Sequence, residues 1–270
     1  MNTNIQKSQA MNTEFLVRPR ISALLTQAVE KPLVFICAGT GYGKTRAVYD
    51  FTKNAEIPTT WIQISEYDII PSRFWENFIN GISQSYKDLS EKLKEIGFPD
   101  TDEKLSRISA IDEAAMPKQK HLVVLDDFHL ITQPTIIQGI ESIARKFITN
   151  RTFILVGREL PKINFTSLQA MGNLCFIYEE DLVFTENELY IYLNNQGISL
   201  ELQVLHEIYQ DIKGWAFAVN LVARSLKKSP GYMGYARIAF RHNIFTLMES
   251  EVFNTVSERL QHFSRCANGS

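Results

Sequence analysis

Cysteine is scarce in this sequence, which has three (Cys37, Cys175 and Cys266) among 270 residues. They are odd in number, far apart and without a C-x-x-C spacing, which argues against a disulfide framework and a zinc site. No apolar run reaches the roughly 18 residues of a membrane span. The polar segment 1–14 also lacks the apolar core of a signal peptide. These absences predict a cytoplasmic protein.

A surplus of positive charge is also missing. The 28 Lys and Arg residues and the 30 Asp and Glu residues give a net charge of −2, whereas a free-standing nucleic-acid binder usually carries a basic surplus. With 45% hydrophobic and 21% charged residues, the composition is that of an ordinary globular protein. The length allows one large domain or two of modest size.

Five short apolar or β-branched runs alternate with stretches that are long enough for crossover helices. Most of the runs are continuously apolar, which is typical of strands covered on both faces. We therefore predict an α/β fold with a five-stranded, mostly parallel sheet built from βαβ units. The predicted strands are residues 33–37, 59–64, 121–125, 152–156 and 174–178.

The strand pattern ends near Asp181, where helical patterns begin. Thr185 followed by Glu188 is a capping box at the start of the first of these helices. The charged stretch 83–120, inside the α/β part, is interpreted as a solvated helical insert. We predict a flexible leader at 1–15, an α/β domain at 16–180, a helical domain at 181–230 and a helical segment at 231–270.

The strongest local signal is a glycine-rich loop between a predicted strand and a predicted helix. Its backbone N–H groups can form a concavity for phosphate oxygens, and the helix adds the positive end of its dipole. Lys44 would reach the β- and γ-phosphates, and the Thr45 hydroxyl would bind Mg²⁺. The alternative is a turn that binds nothing, which the intact Gly-Lys-Thr disfavours. The loop is Ala38-Gly39-Thr40-Gly41-Tyr42-Gly43-Lys44-Thr45, with Ala38 in place of the usual first glycine. We therefore predict that 16–180 is a P-loop nucleotide-binding domain.

A second signal is an apolar strand that ends in two carboxylates, Asp126 and Asp127. In P-loop proteins an Asp at this position supports Mg²⁺, often beside an acidic residue that polarises water. We assign Asp126 to Mg²⁺ and Asp127 to the attacking water. The alternative is a helix N-cap, since Asp accepts backbone N–H bonds there. His129 is expected to form a local hydrogen bond rather than to shuttle a proton.

The third signal is Arg158, which follows Gly157 at the end of the next predicted strand. If this strand lies between the P-loop strand and the acidic strand, Arg158 points towards the γ-phosphate. A bidentate contact there would be lost on hydrolysis and would register the third phosphate. On spacing alone, an exposed surface arginine is the commoner alternative.

Taken in order, these motifs resemble the ATPase module of MalT-like, ATP-dependent LuxR-type transcriptional regulators, a branch of the STAND signal-transduction P-loop NTPases. The similarity runs from about residue 16 to about residue 226. The P-loop alone is specific only to the superfamily, whereas the ordered set is much more specific. The matching segments are 38–45, 125–131, 156–161, 182–185 and Gly214-Trp215, together with Arg18-Pro19-Arg20 and Arg73-Phe74-Trp75.

The resemblance implies a sheet order of 5-1-4-3-2, with the strand of Arg158 between the two catalytic strands. It favours adenine as the base, so that the expected ligands are ATP or ADP with Mg²⁺, and a switch of this kind would use ATP-driven self-association. It also implies that a helical domain and a winged-helix domain follow, and residues 231–270 resemble the opening of the latter. DNA would be contacted only through a C-terminal domain that is absent from these 270 residues.

The leading functional hypothesis is therefore a regulatory nucleotide switch that slow, Mg²⁺-dependent ATP hydrolysis resets. The first alternative is an AAA+-type ATPase in which turnover drives remodelling of a partner. That class usually receives an arginine finger from a neighbouring subunit, and no residue stands out for that role. An inactive interaction module is disfavoured by the intact Lys44, Thr45 and Asp126.

Overall fold

The computed structural model describes residues 16, 18–115, 119–146, 150–161, 165 and 169–228. The predicted leader (1–15) and the predicted C-terminal helical segment (231–270) lie outside the described residues. The chain forms two compact units, Val17–Val183 and Met1–Leu16 with Phe184–Ser270. None of the helices in the described ranges is long and apolar enough to cross a membrane.

The larger unit is built on one parallel sheet. Its strand order is β2-β3-β4-β1-β5, and all four neighbouring pairs run parallel. Counted from the other edge this is 5-1-4-3-2, so the predicted α/β fold and strand order are confirmed. The strands are β1 (Leu33–Cys37), β2 (Thr59–Gln63), β3 (His121–Asp126), β4 (Arg151–Gly157) and β5 (Leu174–Tyr178).

Hydrophobic cores cover both faces of the sheet. Within β1, Val34 and Ile36 belong to one buried cluster, whereas Leu33 and Phe35 belong to the other. Because both faces are covered, β1 and the central parts of β3 and β4 are continuously apolar. The helices of this unit are α1 (Pro19–Ala28), α2 (Lys44–Asn54), α3 (Pro71–Ser83), α4 (Lys87–Ile96), α5 (Asp102–Ala115), α6 (Pro134–Lys146) and α7 (Glu179–Leu182), with short 3₁₀ turns at Glu66–Ile69 and Phe128–Leu130.

The stretch 83–120 is helical over much of its described part, as predicted, but its interpretation as a solvated insert is wrong. In α4, Leu89, Leu93 and Ile96 are buried in the core, and α5 contributes Leu105 and Ile108 to the same cluster. The error has a simple cause, because the abundant charges lie on the outer faces of amphipathic helices whose other faces are apolar. These helices therefore complete one side of the α/β unit.

The first helix of this unit is fastened to its last one. The Arg18 guanidinium donates to the carbonyl oxygen of Leu182 at 2.5 Å. Arg20 donates to the carbonyl oxygens of Asp181 and Val183, both at 2.7 Å. The Arg-Pro-Arg segment that contributed to the family resemblance thus bonds the backbone at which the unit ends.

The smaller unit is helical in its described part, with α8 (Glu186–Asn195), α9 (Leu202–Ile212) and α10 (Ala216–Lys228) around an apolar core. The predicted capping box is confirmed, since the Glu188 amide donates to Thr185 Oγ1 at 3.1 Å and the Thr185 amide to Glu188 Oε2 at 2.9 Å. Gly214 has a φ of 72°, and a Cβ there would lie 2.0 Å from the carbonyl oxygen of Phe184. Only glycine fits this close approach.

A buried histidine lies at the opposite end of the sheet from the loop that follows β1. The side chain of His121, at the start of β3, is within 2.9 Å of Thr60 Oγ1 and 3.2 Å of the Tyr86 hydroxyl. Burial, and to a lesser extent the charge of Arg151, lowers the pKa of His121 from 6.5 to about 4. The folded state therefore strongly prefers the neutral imidazole.

We expect this histidine to make the fold sensitive to acid. Because the pKa of His121 is depressed in the folded state, its contribution to the free energy of unfolding is complete above about pH 6.5. That contribution is lost as the pH falls towards 4. The expected loss in unfolding free energy at pH 5 is about 2 kcal/mol. Urea unfolding at pH 7 and pH 5 measures it, and His121→Gln, which carries no titratable group, should lose less stability over this range. Equal losses in both proteins would contradict the assignment.

Candidate phosphate-binding site

The glycine-rich loop connects β1 to α2 at the carboxyl edge of the sheet. Gly41 and Gly43 both have a φ of 78°, a conformation that L side chains rarely adopt. Ala38 is not among the described residues with positive φ, it is buried, and its amide donates to the carbonyl oxygen of Gly157 at 3.3 Å. The methyl group that replaces the usual first glycine is therefore accommodated without strain.

The start of α2 presents backbone donors and a cation together. Gly43 is the N-cap residue and supplies no side-chain cap, so the first amides of the helix are not capped by it. Lys44 Nζ donates to the carbonyl oxygens of Ala38 and Gly39, both at 2.8 Å. Burial foremost, and then the charge of Arg158, lowers the pKa of Lys44. The helix terminus and this ammonium group form a site suited to an anion.

The remaining loop residues divide between backbone and packing roles. The Tyr42 side chain packs against the core beneath the loop, and burial raises the pKa of its hydroxyl. Its ring also lies against Gly39, where a Cβ would be 3.5 Å from Tyr42 Cε2. Thr40 and Gly41 form the turn at the loop tip. Gly39, Thr40, Gly41 and Tyr42 can thus contribute backbone amides to a phosphate.

A hydrogen bond joins the loop to the acidic strand. Thr45 Oγ1 donates to Asp126 Oδ1 at 3.1 Å, which places two oxygen ligands side by side. Asp126 is 3% exposed, and burial, followed by the charge of Asp127, raises its pKa. A divalent cation would favour its charged form, and hard oxygen ligands of this kind suit Mg²⁺. The residues present therefore fit a magnesium ion.

Asp127 does not act as a side-chain cap. It precedes the turn Phe128–Leu130 with a φ of 58° and makes no side-chain capping bond. Its Oδ2 instead accepts a hydrogen bond of 2.6 Å from Gln63 Nε2, and its side chain is half exposed. A left-handed non-glycine residue with an exposed carboxylate is an arrangement that recurs at functional sites.

His129 lies beside this carboxylate without bonding to it. Its Nδ1 is buried, has no hydrogen-bond partner among the described residues, and is 3.9 Å from Asp127 Oδ1. The local hydrogen bond expected for it is therefore not formed. Burial foremost lowers the pKa of His129, and the charges of Arg158 and Lys44 act in the same direction.

Arg158 follows β4, which lies between β1 and β3 as the sequence argument required. Its side chain is exposed, and its charge affects the pKa values of both Lys44 and His129. The structure thus brings Lys44, Thr45, Asp126, Asp127 and Arg158 to one edge of the sheet.

The sequence reasoning missed one residue of this site. Gln63 ends β2 and pairs with Asp126 in the ladder between β2 and β3. The sequence offered one indication of its role, because Gln63 is the polar residue that ends β2, the strand next to the one that ends in Asp126.

By contrast, Asp68 in the following acidic stretch has a structural role, because its carboxylate accepts hydrogen bonds from the amide and hydroxyl of Ser65 and from Asn77.

No family model matches this chain. Among curated proteins it is similar to the HTH-type transcriptional regulator MalT of Cronobacter sakazakii, with 27% identity over 256 residues that cover 92% of this chain and 28% of the relative. The MalT of Serratia proteamaculans is 26% identical over 217 residues, which cover 79% of this chain and 24% of the relative. The resemblance to MalT-like regulators is confirmed. The chain spans about a quarter of the length of these relatives.

Two solved structures support the same fold. A STAND protein with a tetratricopeptide repeat sensor from Pyrococcus horikoshii superposes with a TM-score of 0.54 at 16% identity, covering 78% of this chain and 30% of its own. A Walker-type ATPase of Pyrococcus abyssi gives 0.61 at 13% identity, covering 92% and 77%. At such low identity these neighbours establish the P-loop α/β fold and nothing further.

Proposed function

We propose that this chain is the ATP- and ADP-binding switch module of a MalT-like transcriptional regulator, reset by slow Mg²⁺-dependent hydrolysis of ATP. The observation that carries the proposal is the Thr45–Asp126 hydrogen bond. It joins the phosphate-binding loop to the acidic strand, as a nucleotide site with a metal ion requires. A fold of this kind alone would not support a function.

Each residue has a distinct role in this proposal. The loop amides and Lys44 bind the phosphates, while Thr45 and Asp126 hold the cation. Bound Mg²⁺ would neutralise phosphate charge. Asp127 orients the attacking water and accepts its proton, which its half-exposed carboxylate is free to do. Among the described residues, Arg158 is the cation whose charge acts on Lys44. With so little positive charge to stabilise the transition state, we expect hydrolysis to be slow.

The switch depends on a contact that ATP makes and ADP does not. Arg158 is proposed to bind the γ-phosphate, so that ATP and ADP stabilise different states. We further propose ATP-driven self-association, a cytoplasmic location and, from the family resemblance, DNA binding through a domain outside these 270 residues. All three are proposals for this chain.

The nucleotide carried by the purified protein tests the proposal directly. Denaturing the protein and separating the supernatant by chromatography should reveal ADP, the ligand of the resting state. An empty protein that turns ATP over rapidly would instead support the AAA+-type alternative, in which turnover itself is the output. A protein that binds neither nucleotide, with Mg²⁺ present, would exclude both.

Replacing Arg158 with alanine should weaken ATP binding more than ADP binding. The lost contact is a hydrogen bond to a charged group, worth about 1.5–3 kcal/mol, which is roughly a tenfold to hundredfold loss of discrimination. Calorimetric titration of both nucleotides measures it. Arg107→Ala, at an exposed position on α5, is the matched control. An unchanged ratio of ATP to ADP affinity in Arg158→Ala would rule out the sensor role.

A further inference from the structure

The shortest side-chain contact described for Asp127 comes from another strand. Gln63 Nε2 donates to Asp127 Oδ2 at 2.6 Å. We propose that Gln63 is a positioning residue for ATP hydrolysis, which holds the Asp127 carboxylate so that its second oxygen faces the attacking water. The inference rests on the proposed function, since Asp127 is the general base only if the chain hydrolyses ATP.

Gln63 is well placed to hold a carboxylate still. It is the last residue of β2, and its main chain is fixed by the parallel ladder with β3, where it pairs with Asp126. Its carbonyl oxygen also accepts a hydrogen bond of 3.0 Å from Asn77 Nδ2. The fixed backbone keeps the Gln63 side chain within reach of the Asp127 carboxylate.

Asp127 needs such a restraint. Its side chain is half exposed, whereas Asp126 is buried. The bond from Gln63 occupies Oδ2 only, and Oδ1 lies 3.9 Å from His129 Nδ1, beyond hydrogen-bond distance. Oδ1 is therefore the oxygen left for a water, and a base held in one orientation transfers protons more effectively than a rotating one.

A purely structural role for Gln63 is the competing explanation, and geometry disfavours it. The backbone hydrogen bonds of the ladder already join β2 to β3 over the whole of β2. Gln63 itself is exposed, so its side chain contributes little to the core. What its side chain adds beyond the ladder is the bond to Asp127.

Two substitutions separate the donor from the shape of the side chain. Gln63→Leu removes the amide, while Gln63→Glu keeps its shape but puts an acceptor where the donor was. We expect both to lower kcat for ATP hydrolysis by about tenfold or more, with KM changed less than about twofold. Gln133→Leu, at an exposed position before α6, is the matched control and should behave as wild type. Wild-type kcat in Gln63→Glu, or a rise in KM in place of a fall in kcat, would overturn the proposal.

A double-mutant cycle then tests whether Gln63 acts through Asp127. In an Asp127→Asn background, Gln63→Leu should slow single-turnover hydrolysis no further, because the carboxylate it positions is gone. Additive losses would assign Gln63 a separate role and overturn the inference while leaving the switch intact. Wild-type protein that binds ATP without hydrolysing it would overturn both this inference and the hydrolytic part of the proposed function.

Discussion

Lys44→Ala should weaken the binding of ATP and of ADP by more than about a hundredfold. The ammonium group now donates to two loop carbonyls at 2.8 Å and lies where bound phosphates would take over its hydrogen bonds. Removing one partner of a desolvated charge pair costs about 2–5 kcal/mol. Isothermal titration calorimetry with each nucleotide, at matched Mg²⁺ concentration, measures the loss.

The control for this substitution is Lys53→Ala, at an exposed position in the last turn of the same helix. It removes an equal charge from α2 and should leave both affinities unchanged. Lys44 is not a member of the apolar clusters, so its replacement should also leave thermal unfolding within a few degrees of wild type. Equal nucleotide affinity in Lys44→Ala and wild type would remove the phosphate-binding assignment.

Asp126→Asn should lower ATP turnover by roughly 10²–10³-fold and should also weaken the Mg²⁺-dependent part of nucleotide affinity. The amide oxygen can still accept the Thr45 hydroxyl but carries no charge for the cation. Because burial already raises the pKa of Asp126, replacing it with a neutral isostere should not unfold the protein. Affinity measured with Mg²⁺ and with EDTA isolates the metal-dependent part.

Asp127→Asn should have a different effect from Asp126→Asn, because the proposed partner of Asp127 is the attacking water and not the cation. Nucleotide affinity with Mg²⁺ should stay at the wild-type value while hydrolysis falls. Asp88→Asn, at an exposed position on α4, is the control for both aspartate variants. If Asp127→Asn hydrolyses ATP at the wild-type rate, another residue is the base. If Asp126→Asn retains full Mg²⁺-dependent affinity, the cation is held elsewhere.

Much of the α/β unit could be predicted from local signals. A strand covered on both faces is apolar at successive positions, so the apolar runs were sufficient to predict β1, β3 and β4. The strand order came from the family resemblance, because nothing in a single strand says which neighbour it will pair with. The capping box at Thr185 was readable because its partners are three residues apart.

The parts that escaped prediction depend on distant or hidden partners. Gln63 meets a carboxylate 64 positions away, and only the sheet register brings them together. The apolar faces of α4 and α5 were missed because the residue composition of a helix does not distinguish its buried face from its charged outer face. His129 was expected to bond locally, but its backbone lies close against Gly157, where an added Cβ would be 3.3 Å from the backbone nitrogen of His129.

The bonds from Arg18 and Arg20 to the backbone of residues 181–183 have a consequence for protein engineering. They bring the beginning and the end of the α/β unit within one side-chain length of each other. Units whose termini meet tolerate circular permutation. A permuted version could join Val183 to Arg18 through a short glycine-serine linker and open at Glu56–Pro58, a surface connection that precedes β2. Such a protein would carry the glycine-rich loop, the acidic strand and Arg158 in a single chain free of the helical unit.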